Sequence, residues 1–182
     1  MNTIYLARHA TPDWSRKDIR YDIPPGPPLI EQGKVEAHQL GLYLKEVGAG
    51  RIFYSPLERT RQTAEIAAKA GGLPLEERQE IREWREDEPE SDLRARFWPF
   101  WSWCLENNEK IGPIVLITHG GPVRYMLEQL GINAETLAQH RQMFDYTNPM
   151  PPAGAWRIQR ETDDAHWQFE LAFKPPTARR IV

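Results

Sequence analysis

The chain has 182 residues, and its 23 lysines and arginines against 26 aspartates and glutamates leave a formal charge of −3. That balance excludes a strongly basic nucleic-acid surface, and the length suits one domain, 1–182, around a single well-covered core. One cysteine, Cys104, excludes an internal disulfide, and no run approaches the ~20 apolar residues that a membrane span requires; a cytoplasmic protein with no leader peptide is expected.

The first element is an apolar stretch, Thr3-Ile4-Tyr5-Leu6-Ala7, which suits a strand buried on both faces and stops at Arg8-His9-Ala10-Thr11. Residues 12–30 are rich in Pro, Asp and Gly and predict an ordered loop. From about 31 to 47, Ala37, Leu40, Gly41 and Leu44 recur at helical spacing, and Gly48 stops the helix. Arg51-Ile52-Phe53-Tyr54 reads as a second strand. It runs into Ser55-Pro56-Leu57-Glu58, which has the form of a capping box with proline at the first helical position. The helix that follows carries Arg59, Thr63 and Ile66 on one side and ends near Gly71-Gly72.

Residues 73–92 hold a short apolar patch and then a dense acidic stretch with interleaved arginines. A helix is predicted over 92–109, carrying Phe97, Trp98, Phe100, Trp101 and Trp103, with a kink or break at Pro99. Ile114-Val115-Leu116-Ile117-Thr118 repeats the layout of the first strand and stops at His119-Gly120-Gly121-Pro122, followed by a helix over 122–130. A Pro-rich loop, 146–154, precedes two runs, 155–159 and 167–173, that read as a hairpin around Glu161-Thr162-Asp163-Asp164. Cys104 lacks CxxC spacing and reads as a packed residue, as do His38, His140 and His166 for packing or surface roles. The alternation of strands and helices predicts an α/β fold.

Three strand-to-helix junctions thus end in charged or titratable groups: Arg8-His9, Arg59, and His119. In open α/β sheets ligands bind at the carboxyl edge of the strands. Two guanidinium groups and two imidazoles there suit a dianionic group, because arginine matches phosphate oxygens bidentately. The Gly120-Gly121-Pro122 turn leaves helix amino-terminal N–H groups for an anion. A neutral imidazole among cations, its pKa depressed by them, is a competent nucleophile toward phosphorus. Arg124 reads as a surface ion pair rather than a substrate contact and Arg61 as a solvated residue, and no histidine pairing or cysteine partner indicates a metal.

Arg8-His9-Ala10-Thr11, the Gly26-Pro27-Pro28-Leu29 segment with Gly33, Ser55-Pro56-Leu57-Glu58-Arg59-Thr60 with Gln62-Thr63-Ala64, and Thr118-His119-Gly120 together resemble the histidine phosphatase superfamily, the phosphoglycerate-mutase-like group. The resemblance implies a three-layer α/β/α sandwich with a mostly parallel central sheet. It also implies phosphoryl transfer without metal or cofactor, through a phosphohistidine on His9. Arg8, Arg59 and His119 would hold the phosphoryl group, with Gly120 and Ser15 as further substrate contacts. Glu83, in Ile81-Arg82-Glu83, fits the family's proton donor best, with Glu80 and Glu86 as rivals. The family's RHG glycine is Ala10 here, Ser15 stands where many members have asparagine, and Trp84-Arg85-Glu86-Asp87 replaces the usual sequence after the acid.

The activity expected is hydrolysis of a small phosphorylated metabolite, with no nucleic-acid or membrane partner and the oligomeric state open. Phosphoglycerate mutase-type transfer, a protein phosphohistidine phosphatase and a non-catalytic phosphate-binding module are the alternatives. Family mutases are usually longer, which favours hydrolysis. Phe97 and Trp98 are expected in the core, with a possible part in leaving-group preference.

Overall fold

The computed structural model describes residues 1–144, 147–161 and 166–178. Six strands form one sheet: β1 (Asn2–Arg8), β2 (Arg51–Tyr54), β3 (Leu75–Glu77), β4 (Ile114–Thr118), β5 (Ala155–Arg160) and β6 (Gln168–Phe173), in the order β3-β2-β4-β1-β5-β6. The first four are parallel, and β5 and β6 add an antiparallel hairpin beside β1. The hairpin is as expected; residues 162–164 of its turn and Tyr146 lie outside the described residues.

Helices α1 (Glu31–Glu46) and α2 (Glu58–Gly71) cover one face of the sheet, and α3 (Glu90–Ile111) and α4 (Gly120–Gln129) cover the other. The period-2 alternation of β1 sorts the two cores. Ile4 and Leu6 face Phe97, Trp101 and Met126, whereas Tyr5 and Ala7 belong with Leu40, Leu44 and Ala64. Every residue of β4 is buried, the signature of a strand covered on both faces. The three-layer arrangement is therefore the one the family resemblance implies.

Three expectations are corrected. The segment Ser55–Glu58 is no capping box: α2 begins at Glu58 after Leu57, no side chain caps it, and the Ser55 hydroxyl is engaged elsewhere, as described below. Pro99 does not break α3, which runs continuously from Glu90 to Ile111. Burial of Leu93, Phe97, Phe100, Trp101 and Cys104 on both sides of the proline outweighs its cost of ~3 kcal/mol. A further helix, α5 (Ala134–Phe144), follows α4 where no element was predicted. Among the described residues, no helix is long and apolar enough to cross a membrane.

Candidate active site

The parallel register aligns Arg8 with Thr118, so the strands deliver His9 and His119 side by side at the carboxyl edge. The His9 amide donates to the Thr118 carbonyl (2.9 Å) and the Ser55 amide to the Ile117 carbonyl (3.1 Å), which ties all three junctions together. The two imidazoles lie 5.4 Å apart between ring centroids. Two expectations from sequence, the adjacency of the histidines and the arrival of Arg59 from the next helix, are thus realised in space.

His9 is 1% exposed. Its Nδ1 lies 2.8 Å from the Ala10 carbonyl oxygen, which can only accept, so Nδ1 carries the hydrogen and Nε2 presents its lone pair to the site. Burial first, and then the Arg59 charge, the neighbouring His119 and Arg8, hold its pKa well below the ordinary histidine value. Ala10 packs with Leu29, Ala37 and Ala153, and its amide donates to Thr63 Oγ1 (3.0 Å), whose hydroxyl donates to the Arg59 carbonyl (2.6 Å). One threonine therefore couples the nucleophile's backbone to the first turns of α2.

Arg59 is fully buried and spans the cluster. Its Nη2 donates to Glu83 Oε2 (2.9 Å), and its Nη1 donates to the Tyr21 carbonyl (2.7 Å). Gly26, at φ +68°, passes so close that a Cβ there would lie 2.9 Å from Arg59 Nη1. The glycine of the Gly26-Pro27-Pro28-Leu29 segment is required by this approach as well as by its left-handed backbone. Arg8, also buried, donates from Nη1 to the Met150 carbonyl (3.2 Å).

His119 is fully buried between Ser55 and Glu83: its Nε2 lies 2.7 Å from Ser55 Oγ, and its Nδ1 lies 3.2 Å from Glu83 Oε2. Burial lowers its pKa to about 4, against the opposing pull of Glu83, so the ring is neutral at neutral pH. Nδ1 also lies 3.0 Å from Arg59 Nη2, which can only donate, so this nitrogen sits between a guanidinium donor and the Glu83 carboxylate, and the sense of the Nε2–Ser55 hydrogen bond follows the tautomer. For Glu83, burial alone would raise the pKa, but His119, Arg59 and the Trp84 amide on Oε1 hold it below the usual carboxylate value. Arg59 and Glu83 form the charged pair, and the imidazoles are neutral.

Of the three rival acids, only Glu83 joins this network. Glu80 is 37% exposed at its side chain and faces Arg78 at 4.0 Å, and Glu86 is exposed. Ser15 is exposed, and its hydroxyl donates to Asp13 (2.5 Å), so it lies outside this hydrogen-bond network. Gly120 opens α4, and a Cβ there would overlap Asn148 Oδ1 at 1.5 Å; a Cβ on Gly121 would stand 3.6 Å from Glu83 Oε1. Arg124 faces Glu128 at 3.9 Å, and Arg61 pairs with Glu58 and Glu65, both on the surface as expected.

Sequence reasoning missed three participants. Ser55 was read as a cap because serine before proline at a helix start usually is one. Tyr21, whose hydroxyl lies 3.2 Å from His9 Nε2, sits in a loop without periodicity. Arg96 lies in the acidic stretch's following helix, and it donates to the Glu80 carbonyl (2.6 Å), the Glu83 carbonyl (3.2 Å) and the Glu88 carboxylate (2.8 Å), which fixes the loop that carries Glu83.

Residues 4–91 match the family model of the histidine phosphatase superfamily (branch 1). The chain is 37% identical over 75 residues to the probable phosphoglycerate mutase GpmB of Escherichia coli O1:K1 / APEC; the match takes in 41% of this chain and about a third (34%) of that relative's length. A mycobacterial glucosyl-3-phosphoglycerate phosphatase in complex with VO3 superposes with a TM-score of 0.72 at 18% identity, over 96% of this chain and 100% of that one. Phosphoglycerate mutase from Bacillus anthracis str. Sterne gives 0.72 at 17% identity, over 93% and 91%. The putative phosphohistidine phosphatase SixA from Agrobacterium tumefaciens gives 0.62 at 19%, over 93% and 97%. The amino-terminal part of the chain, residues 4–91, is thus similar to the histidine phosphatase superfamily, and the fold of the chain is that of phosphoglycerate mutase-like structures.

Proposed function

We propose that the protein is a phosphomonoester hydrolase that carries the phosphoryl group of a small phosphorylated metabolite on His9. The observation that carries this reading is the fixed tautomer of His9: Nδ1 is held by the Ala10 carbonyl, which leaves Nε2 as an acceptor 3.2 Å from the Tyr21 hydroxyl, with the His119 ring 5.4 Å away. A neutral nucleophile beside buried, preorganised cations is what phosphoryl transfer requires.

In the resting site, the Glu83 carboxylate occupies the Arg59 Nη2 donor and lies beside His119 Nδ1. A phosphoryl dianion competes for that place. Its charge repels the carboxylate, so Glu83 loses its main stabilising partner and takes up a proton. His9 Nε2 then forms a bond to phosphorus as the ester P–O bond breaks, and protonated Glu83 gives its proton to the departing oxygen. In the second half, water attacks phosphorus, the Glu83 carboxylate takes the water's proton, and the N–P bond breaks to restore neutral His9. Arg8, Arg59, His119 and the Gly120 amide at the start of α4 are assigned to the phosphoryl oxygens.

Rapid SDS quench at alkaline pH, where a phosphoramidate survives, with a labelled phosphomonoester tests the reading. Label on His9 that disappears in His9→Ala supports it; no label with any substrate class, from sugar phosphates to phosphoamino acids, overturns it. The local identity to a probable phosphoglycerate mutase favours a second reading, in which the phosphoryl group returns to another hydroxyl. An assay with phosphoglycerate and a bisphosphorylated primer separates the two.

A further inference from the structure

Tyr21 touches both groups that phosphoryl transfer needs. Its Oη lies 3.2 Å from His9 Nε2, its ring lies against the Arg59 guanidinium with Cζ 3.8 Å from the centroid, and its carbonyl accepts from Arg59 Nη1 at 2.7 Å. Because His9 Nδ1 must donate to the Ala10 carbonyl, Nε2 is a pure acceptor and the phenol is the donor. The lone pair that would attack phosphorus is therefore held by a tyrosine hydroxyl in the resting protein.

A phosphorus atom poised for in-line attack sits about 3–3.5 Å from its nucleophile. The phenolic oxygen now fills that place, and two atoms cannot share it. His9 and Arg59 are 1% and 0% exposed, so a phosphoryl group reaches them only when the phenol withdraws. Tyr21 is 36% exposed, so part of its surface already faces solvent. Its ring packs on the face of the guanidinium and leaves the edge to bind oxygens, so the residue remains beside the pocket after it yields the nitrogen. What it then meets is a set of phosphoryl oxygens, all acceptors.

We infer that Tyr21 is a catalytic residue that transfers its hydrogen bond from His9 Nε2 to a nonbridging oxygen of the phosphoryl group. The inference rests on His9 as the phosphoryl carrier. In the resting state the phenol covers the nucleophile; in the transfer it stabilises charge on the equatorial oxygens. No proton leaves the tyrosine: the N–P bond forms, the ester P–O bond breaks, and the departing oxygen takes its proton from Glu83.

Tyr21→Phe keeps the ring on Arg59 and removes the hydroxyl alone. Single-turnover phosphorylation of His9 is expected to slow about 10–100-fold, with orthovanadate affinity falling more than inorganic phosphate affinity. The ¹⁵N resonance of His9 Nε2 is expected to move toward that of a free imidazole lone pair, a change that a purely structural role would not produce. Wild-type phosphorylation rates in the variant, or faster ones, overturn the inference and leave the phenol as a cover only. An unmoved Nε2 resonance overturns it as well. A wild-type protein that never acquires label refutes the phosphohistidine reading itself, so the two failures are distinguishable.

Discussion

Glu83 Oε2 and Arg59 Nη2 meet at 2.9 Å, so a carboxylate of the chain itself sits on the guanidinium assigned to the phosphoryl group. An entering dianion must break this pair, and the freed carboxylate, with its pKa no longer held down, takes up a proton. Sulfate is a suitable probe because it does not titrate near neutrality. Calorimetry in buffers of different ionisation enthalpy is expected to show about one proton taken up per sulfate at pH 7, with affinity falling as pH rises. Glu83→Gln is expected to abolish the uptake and tighten sulfate binding about tenfold, about 1.4 kcal/mol. The same variant should hydrolyse alkyl phosphates ~10²–10⁴-fold more slowly. Uptake that persists in Glu83→Gln would point to another acceptor.

The buried imidazoles predict the acid limb of stability. Burial lowers the pKa of both His9 and His119, the latter to about 4. Below the ordinary histidine value the unfolded chain binds protons that the folded chain refuses, so stability is lost as pH falls from about 6.5 toward 4. The slope approaches about 1.4 kcal/mol per pH unit for each histidine. Glu83, with its pKa lowered, adds to the loss only below the usual carboxylate range. Urea melts at pH 7 and pH 5 should differ accordingly, and His119→Gln should flatten the dependence.

Ser55 Oγ and His119 Nε2 are 2.7 Å apart, and both residues are fully buried. Ser55→Ala leaves a buried ring nitrogen without its partner, at an expected cost of about 1–3 kcal/mol in unfolding free energy. The imidazole also loses a contact that orients its ring. Turnover should fall with little change in KM, whereas Ser55→Thr should retain the bond if the added methyl is accommodated. Equal stability and turnover in Ser55→Ala would show that the bond is dispensable.

Arg96 holds the acid loop from α3 through the Glu80 and Glu83 carbonyls and Glu88, and Glu88 is in turn held to a pKa of about 2: burial would raise it, but Arg96 and Arg82 prevail. Its action is on the placement of Glu83. Arg96→Met should therefore slow substrates with alkoxide leaving groups about tenfold or more, and those with acidic leaving groups much less. A uniform loss for both classes would indicate general disruption instead.

Helices α1 and α2 cross where Gly41 faces Ala67; a Cβ on Gly41 would lie 2.4 Å from the Ala67 carbonyl oxygen. Backbone cannot yield as a side chain does, so Gly41→Ala should destabilise the fold by about 1–3 kcal/mol. Gly48→Ala, at φ +68° with open space around it, tests backbone strain without a clash. A thermal shift in Gly41→Ala no larger than that of a surface alanine would refute the close-packing account.

Legibility in the sequence followed the strength of local constraint. The runs of β1 and β4 were readable because a strand buried on both faces must be apolar throughout. The stops at His9 and His119 were readable because polar residues end such runs. β3 has only three residues, two of them glutamates, and α5 buries only Leu137 and Phe144, so neither imposes a strong pattern. Pro99 shows the opposite error: a strong local rule yielded to aromatic burial on both sides of it.

The sequence by itself determined the α/β order and the position of Arg8, His9, Arg59 and His119 at element ends, while the acids Glu80, Glu83 and Glu86 came from the family resemblance alone. The order and those positions follow from chain-local chemistry, from apolar periodicity and from residue types at element ends. Only the tertiary structure decided that Glu83 rather than Glu80 or Glu86 meets Arg59, that Ser55 serves His119 rather than its own helix, and that Tyr21 lies on the nucleophile. Each of these is a contact between segments far apart in the chain. Hydrogen-bond partners at that range are set by how strands register and helices pack, and no local pattern records them.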